Sequence, residues 1–459
     1  MIAIAFHSGN SKIKWSVSLL FILCETILLY AVPRSNFIAT YSLFLVLFAL
    51  YLYILKKENF FSLSTCIWLA VGLRVIAIFC LPVLSDDYFR FIWDGKMCLA
   101  SINPFRYTPQ EYLVLHKPDQ YLQYLYTNMN SVEYHTIYPP VMQYIFSFSV
   151  WLFPSNAYGS MVVMKIFIFL SECITMRVLY LFAKSKEIPV RNILWYILNP
   201  LIIIELTGNV HFDAVMLCFL VSCLYLLHKK AYLLSAICWA LAISTKLIPL
   251  VLAPVLLCSM GLKRFFSYGS VASVLVIILF LPFFNIHLVQ DINTSFTLFY
   301  HLFEFNASIF YLIRTIAFHY VDYDIIEEVA PNLGLLSLLI ILIISCWRGK
   351  SYSLETKCMW VYSVYFLFST MVHPWYSAIL ILFSVFSRYK FPVVFSMLIL
   401  LSYFPYSLKD YDENMGVILI EYALLLGFIV IEIRSIRKKG KSPLYLHSEP
   451  IQPQTVSVL

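Results

Sequence analysis

The chain has 459 residues, of which 61% are hydrophobic and only 12% are charged, with a net charge of +7 and a mean hydropathy of +0.82. Soluble domains carry roughly 25% charged residues, so this composition excludes a large water-facing domain. The positive balance sits in short loops between apolar runs, which makes it a topology signal rather than a nucleic-acid footprint. Membrane lipids are expected partners and nucleic acid is not.

A hydrocarbon core of ~30 Å takes about 20 apolar residues per helix. In chain order the apolar runs read as spans at 15–32, 38–55, 63–84, 160–183, 191–208, 212–228, 231–246, 247–260, 266–285, 333–347, 357–372, 376–388, 391–406 and 417–434. The first follows Lys12 and Lys14 as a signal h-region would. A second apolar run comes at once, however, and no small-residue cleavage pattern lies between them, so it reads as a first span. The expected fold is an all-α polytopic membrane protein, one domain over residues 1–459 with about 13–14 transmembrane helices. Within it, 85–137 forms a large first extracytoplasmic loop, 138–154 an interfacial helix and 435–459 a cytoplasmic tail.

Charge sets the orientation. With the N-terminus inside, the basic clusters at Lys12/Lys14, Lys56/Lys57, Lys184/Lys186/Arg191, Lys229/Lys230, Lys263/Arg264, Arg348/Lys350/Lys357, Arg388/Lys390 and Arg434/Arg437/Lys438/Lys439 all fall in the cytoplasm, as the positive-inside rule asks. This requires that 138–154, an apolar run bounded by prolines and short for a span, lie at the interface. Residues 300–320 are read the same way. The 11 cysteines are scattered, most of them in apolar runs (Cys24, Cys66, Cys80, Cys173, Cys218, Cys223, Cys238, Cys258), with Cys98 alone in the large loop. Without a CxxC pair they read as buried small hydrophobes. Arg74 and Glu172 stand mid-span in different helices, where ionisable residues are usually paired.

On this topology the polar residues share the outer face. The densest group is Ser85-Asp86-Asp87-Tyr88-Phe89-Arg90, continuing to Trp93-Asp94-Gly95. Two carboxylates where a span meets a loop are either solvated acids or a general base with its neighbour. Asp87, Arg90 and Asp94 are spaced to share a helical face, and Arg90 can hold a carboxylate ionised or bind a phosphate. The second group is Asn199-Pro200 followed by Gly208-Asn209-Val210-His211-Phe212-Asp213. Its bland reading is a helix stop and an Asp N-cap, which suits Asp213 better than His211. The third is Lys246 at the tip of a tight hairpin, either snorkelling or meeting a lipid phosphate. The fourth is His373-Pro374-Trp375-Tyr376, an interfacial aromatic break or part of a site. The sequence holds no Walker A loop, dinucleotide-binding glycine fingerprint, zincin motif or nucleophile elbow. With only 12 glycines it has little material for loops that cradle a nucleotide.

The run SDDYFRFIWDGKMCLASINPFRYTP, then Thr136-Ile137-Tyr138-Pro139-Pro140, Asn199-Pro200, Gly208-Asn209-Val210-His211-Phe212-Asp213-Ala214, Lys246-Leu247-Ile248-Pro249 and His373-Pro374-Trp375-Tyr376, resembles the bacterial polyprenyl-phosphate-mannose-dependent mannosyltransferases of GT-C architecture. The motifs occur in the family's order across roughly residues 63–380. The resemblance implies transfer of a hexose, mannose in that family, from a polyprenyl-phosphate donor to a glycan or lipid-linked acceptor. It places the reaction on the outer face of the cell membrane, with inversion at the anomeric carbon. The general base maps to Asp87 or Asp86, with Asp87 favoured because Arg90 lies three residues on. Arg90, Asp94, Lys246, His211, Asp213, Arg314, His373, Tyr138, Trp375 and Tyr376 become the expected donor-phosphate and substrate contacts. Among these, Arg90, Lys246, His373 and Arg314 are the candidate cations for charge on the departing phosphate. No metal is expected, since these cations are present and Asp86-Asp87 is not a DxD pair, and no cofactor is expected, since the lipid-linked sugar is a co-substrate. Phe212 departs from the family, whose members often carry Asn between the His and the Asp.

Two other classes fit a many-span chain. A lipid-sugar transporter would show internal repeats and midplane ionisable residues at the repeat interface, and no repeat is visible. An O-antigen-type polymerase would carry arginine-rich outer loops, whereas 85–137 is acidic, aromatic and proline-punctuated.

Overall fold

The computed structural model describes residues 8–57, 60–284, 303–347 and 352–438. Arg348, Lys350, Lys439, the tail beyond 438 and the first residues of 300–320 lie outside the described residues. Within them the regular elements are helices: α1 (Ser8–Ala31), α2 (Phe37–Lys56), α3 (Leu63–Ile78), α4 (Asp87–Leu99), α5 (Pro109–Leu115), α6 (Gln120–Asn128), α7 (Pro140–Leu152) and α8 (Ala157–Ser185). Next come α9 (Val190–Ile197), α10 (Pro200–Gly208), α11 (Asp213–His228), α12 (Tyr232–Ile243), α13 (Ile248–Met260) and α14 (Leu262–Phe283). The last are α15 (Ser308–Ala317), α16 (Ile326–Cys346), α17 (Leu354–Phe368), α18 (Pro374–Ser384), α19 (Phe391–Ser407) and α20 (Met415–Lys438).

The protein is an all-α polytopic membrane protein. Among the described residues α1, α2, α8, α14, α16 and α20 are each long and apolar enough to cross a bilayer, and α9 with α10 makes one further span bent by 53°. Seven shorter apolar helices, α3, α11, α12, α13, α15, α18 and α19, complete the bundle. Large apolar side chains such as Ile277, Leu335 and Ile431 stand exposed on α14, α16 and α20. A water-soluble protein would bury such faces, but lipid solvates them.

The structure corrects several expected boundaries. The 63–84 run stops being helical at Ile78, because the chain must turn from α3 into the acidic loop. The 191–208 span is broken at Asn199-Pro200. Proline has no N–H to continue the ladder, and the Asn199 side chain accepts from Leu201 N at 3.0 Å to start α10. The second half then widens into a π-turn over Ile203–Gly208, a distortion common at functional sites. Cys258 is not a buried hydrophobe. It is exposed, with its Sγ 2.7 Å from that of Cys346, where the ends of α13 and α16 meet.

Buried charge ties the helices together. Arg74 in α3 donates Nε and Nη2 to Glu172 Oε2 in α8 at 3.0 and 2.7 Å, and both side chains are fully buried. Nη1 reaches the carbonyls of Ala70 and Ile197, and Tyr196 donates to the other Glu172 oxygen at 2.7 Å. Lys165, also fully buried in α8, donates to the carbonyls of Ala77 and Cys80 at 3.0 and 2.6 Å. It thereby satisfies backbone groups that the end of α3 leaves open. Lys186 pairs with Glu355 at 2.8 Å, and Arg191 donates to the Phe61 carbonyl at 3.0 Å, so basic segments far apart in sequence gather at one end of the bundle.

Candidate active site

The acidic motif is positioned from below and from the side. Beneath it, Leu84 N donates to Asn209 Oδ1 at 3.0 Å while Asn209 Nδ2 donates to the Ile204 carbonyl at 3.0 Å, which locks the acidic loop to the Gly208–Asp213 segment. Val210 in that segment has φ 63°, costly for a β-branched residue by about 1–3 kcal/mol. Beside it, α4 lies so close to α7 that a Cβ on Gly95 would come within 2.7 Å of the Phe146 carbonyl oxygen. Only a glycine permits that approach.

Asp86 precedes α4 and Asp87 is its first residue. The two carboxylates do different things. Asp86 forms a salt bridge of 2.7 Å with Arg34, and both side chains are about one-third exposed. Both line a cavity of about 350 Å³, together with Arg34, Arg90, Tyr138, His211, Lys246, His373, Trp375 and Tyr376 among others, and Asp87 does so without a salt bridge among the described residues. Burial raises the Asp87 pKa, and the Lys246 charge, Ser85 and Asn130 pull it partly back down. A carboxylate raised in this way is a better proton acceptor near neutral pH.

Arg90 is buried and mostly committed. Nε donates to Asp94 Oδ1 at 2.9 Å, and Nη1 to the carbonyls of Ser131 and Tyr134 at 2.9 and 2.7 Å. Nη2 is left buried with no partner among the described residues, on a side chain that lines the cavity. Asp94 also accepts from Thr136 Oγ1 at 2.5 Å and from Gln143 at 3.1 Å. It holds Arg90 and the 131–136 segment and is not part of the cavity lining. Lys246 donates to the buried Asp213 at 2.5 Å and sits 5.4 Å from the centre of the Tyr376 ring. Tyr138 packs its ring edge-on to Phe91 at 4.9 Å, and burial holds its hydroxyl neutral by raising its pKa well above the ordinary value.

Two expected cations fall away. Burial, then the Lys246 charge, push the His373 pKa down to about 3, so that imidazole is neutral. Arg314 pairs with Glu304 and is not in the cavity lining. The segment before α15 lines the cavity with Phe303 and Phe305 instead, and it is pinned to the 370–372 segment: Phe305 N donates to the Thr370 carbonyl at 3.0 Å and Val372 N to the Phe305 carbonyl at 2.8 Å. Phe212, the departure from the family pattern, packs edge-on to Phe91 and Phe146 at 5.6 and 5.3 Å. A second cavity of about 370 Å³, mainly apolar, runs between α13, α16 and the end of α17, and shares Tyr365 and Ser369 with the first.

A family model described as alpha-(1->6)-mannopyranosyltransferase, N-terminal domain, matches residues 29–261, a stretch that contains Asp86, Asp87, Arg90, His211, Asp213 and Lys246. The chain belongs to this mannosyltransferase family. It is therefore a membrane glycosyltransferase. No curated protein matches it.

Sequence reasoning did not single out two residues of this glycosyltransferase. Arg34 carried a signal: between the first two runs it is a basic residue on the outer side, against the rule that the other clusters obey. Glu205 carried the same signal as Arg74, an ionisable residue inside an apolar run. In the structure it is fully buried, and Tyr403 donates to its Oε1 at 3.0 Å.

Proposed function

We propose that the protein transfers a hexose, mannose by its family, from a polyprenyl-phosphate donor to a hydroxyl of a glycan or lipid-linked acceptor, within a GT-C bundle at the outer face of the cell membrane. One observation carries this reading. A single cavity joins a carboxylate with a raised pKa, Asp87, to a lysine, Lys246, and an arginine nitrogen without a partner, Arg90 Nη2. Inverting displacement needs those two functions facing each other across the anomeric carbon. Asp87 accepts the proton of the acceptor hydroxyl as its oxygen bonds to that carbon. The bond from the carbon to the phosphate oxygen breaks, and the electron pair leaves on the lipid phosphate, whose charge Lys246 and Arg90 Nη2 stabilise. The cavity beside Tyr365, lined mainly by apolar residues such as Leu250, Val251, Pro254, Leu338 and Ile341, supports a donor with a hydrocarbon tail. With two cations at the leaving group, the reaction proceeds without a metal or cofactor, and the lipid-linked sugar is consumed as co-substrate.

The test uses membrane vesicles holding the full chain, radiolabelled polyprenyl-phosphate mannose and a glycan or lipid-linked acceptor, with and without a chelator. The expected result is labelled, glycosylated acceptor that forms equally in the chelator. Donor that crosses the membrane without product forming would return the protein to the transporter class.

A further inference from the structure

His211 is held in a way that fixes its chemistry. Nδ1 lies 2.8 Å from the Glu205 backbone carbonyl oxygen, an atom that can only accept, so Nδ1 carries the hydrogen. The Glu205 side-chain oxygen Oε2 lies 3.3 Å from the same nitrogen, and the π-turn brings both Glu205 groups to it. Nε2 is then left with a bare lone pair. It is buried and has no partner among the described residues, on a residue 3% exposed that lines the cavity. Charging it is opposed first by burial and then by the nearby Lys246. The ring cannot easily turn away, because it stacks on Trp375 with centroids 3.6 Å apart, and His373 stacks on Trp375 at 4.3 Å. Two rings parallel to one indole at such distances take its two faces, so Trp375 is filled on both sides and offers a ligand only its edge.

A buried, unpaired lone pair on a residue that lines a site seeks a hydrogen-bond donor. A lipid phosphate has none to offer, whereas a sugar has hydroxyls. We infer that His211, oriented by Glu205, accepts a hydrogen bond from a hydroxyl of the donor sugar and sets the enzyme's preference among sugars. This rests on the proposed reaction. The donor sugar is selected over the acceptor because Lys246, which faces the donor phosphate in that reaction, lines the same cavity as His211. Lys246 also sits over Tyr376, whose ring meets the His373–Trp375–His211 stack, and a hexose ring bridges neighbouring groups of that kind. His211 is thereby a specificity residue, not a partner of the phosphate. Glu205 is a positioning residue acting through it.

The test compares polyprenyl-phosphate mannose with its single-deoxy analogues, and the acceptor with its own deoxy analogues, in vesicles of wild type and three variants. His211→Asn keeps a donor toward the Glu205 carbonyl and removes the cavity-facing acceptor. His211→Phe keeps the stack on Trp375 and removes the same acceptor, so the two variants test the point through different structural losses. His211→Gln returns an amide oxygen near the position of Nε2. A buried acceptor left unpaired predicts that wild type uses one deoxy donor about tenfold to a hundredfold less well in kcat/KM than the parent. That penalty falls below about threefold in His211→Asn and His211→Phe, and His211→Gln keeps part of it. Three results would overturn the inference: an unchanged penalty in both variants, no penalised deoxy donor in wild type, or a change confined to the acceptor series. A wild type that makes no product from the parent donor removes the reaction itself, and this assignment with it.

Discussion

Exchanging Asp87 for asparagine keeps the size and hydrogen-bonding shape of the side chain but removes its ability to take a proton. General base catalysis contributes about 10²–10⁴-fold. Asp87→Asn should therefore lower turnover by at least about a hundredfold, or about 2.7 kcal/mol in activation free energy, with donor binding retained. Asp86 provides the internal control. Its salt bridge with Arg34 is about one-third exposed on both sides, and such pairs contribute about 0.2–1 kcal/mol. Asp86→Asn should cost no more than about fivefold. The assay is single-turnover formation of glycosylated acceptor in vesicles, with labelled donor retained on the vesicles as the binding readout and membrane yield as the folding check. Equal losses in the two variants would show that the salt bridge does not separate the roles of the two acids. Near-wild-type turnover in both, with folded protein, would sink the mechanism.

The remaining predictions follow from the same geometry. The Asp87 pKa is raised by burial and opposed by Lys246, and the base acts only when ionised. Activity should therefore fall as pH drops, with an inflection above the ordinary aspartate range; Lys246→Met should move that inflection to higher pH, and an unmoved acid limb would dissociate the two residues. For Arg74 and Glu172, removing one partner of a fully buried pair costs about 3–5 kcal/mol, so Arg74→Met and Glu172→Gln should each lower membrane yield and melting temperature. The double variant should lose less than the sum, and additive losses would mean no coupling. Reporter tags at Lys57, Lys186 and Lys230 should be cytoplasmic and a tag near Pro118 extracytoplasmic, since the basic clusters demand it. A cytoplasmic 85–137 loop would put the candidate site on the wrong face.

Hydropathy and charge alone determined the class. A chain with 12% charged residues and repeated long apolar runs reads as lipid-solvated helices, and Asp86, Asp87 and Lys246 were visible because charge is costly beside apolar runs. The Arg74–Glu172 pair was visible for the same reason, each being an ionisable residue inside an apolar run and needing a partner. The sequence could not assign roles within the site, because roles depend on who reaches whom across the fold. Asp86 and Asp87 are adjacent and chemically identical, and the fold distinguishes them by bringing Arg34 from the loop before α2 to Asp86 and by burying Asp87 near Lys246. Arg314 and His373 looked like cations, but a carboxylate ten residues away in the chain takes up the first and burial beside Lys246 neutralises the second. Glu205 sits in a plain apolar run, and only the break at Pro200 and the π-turn after it bring its carbonyl to His211. Sequence records the energetic cost of a polar group in lipid; tertiary structure decides which neighbour offsets that cost, and with it what the group can still do.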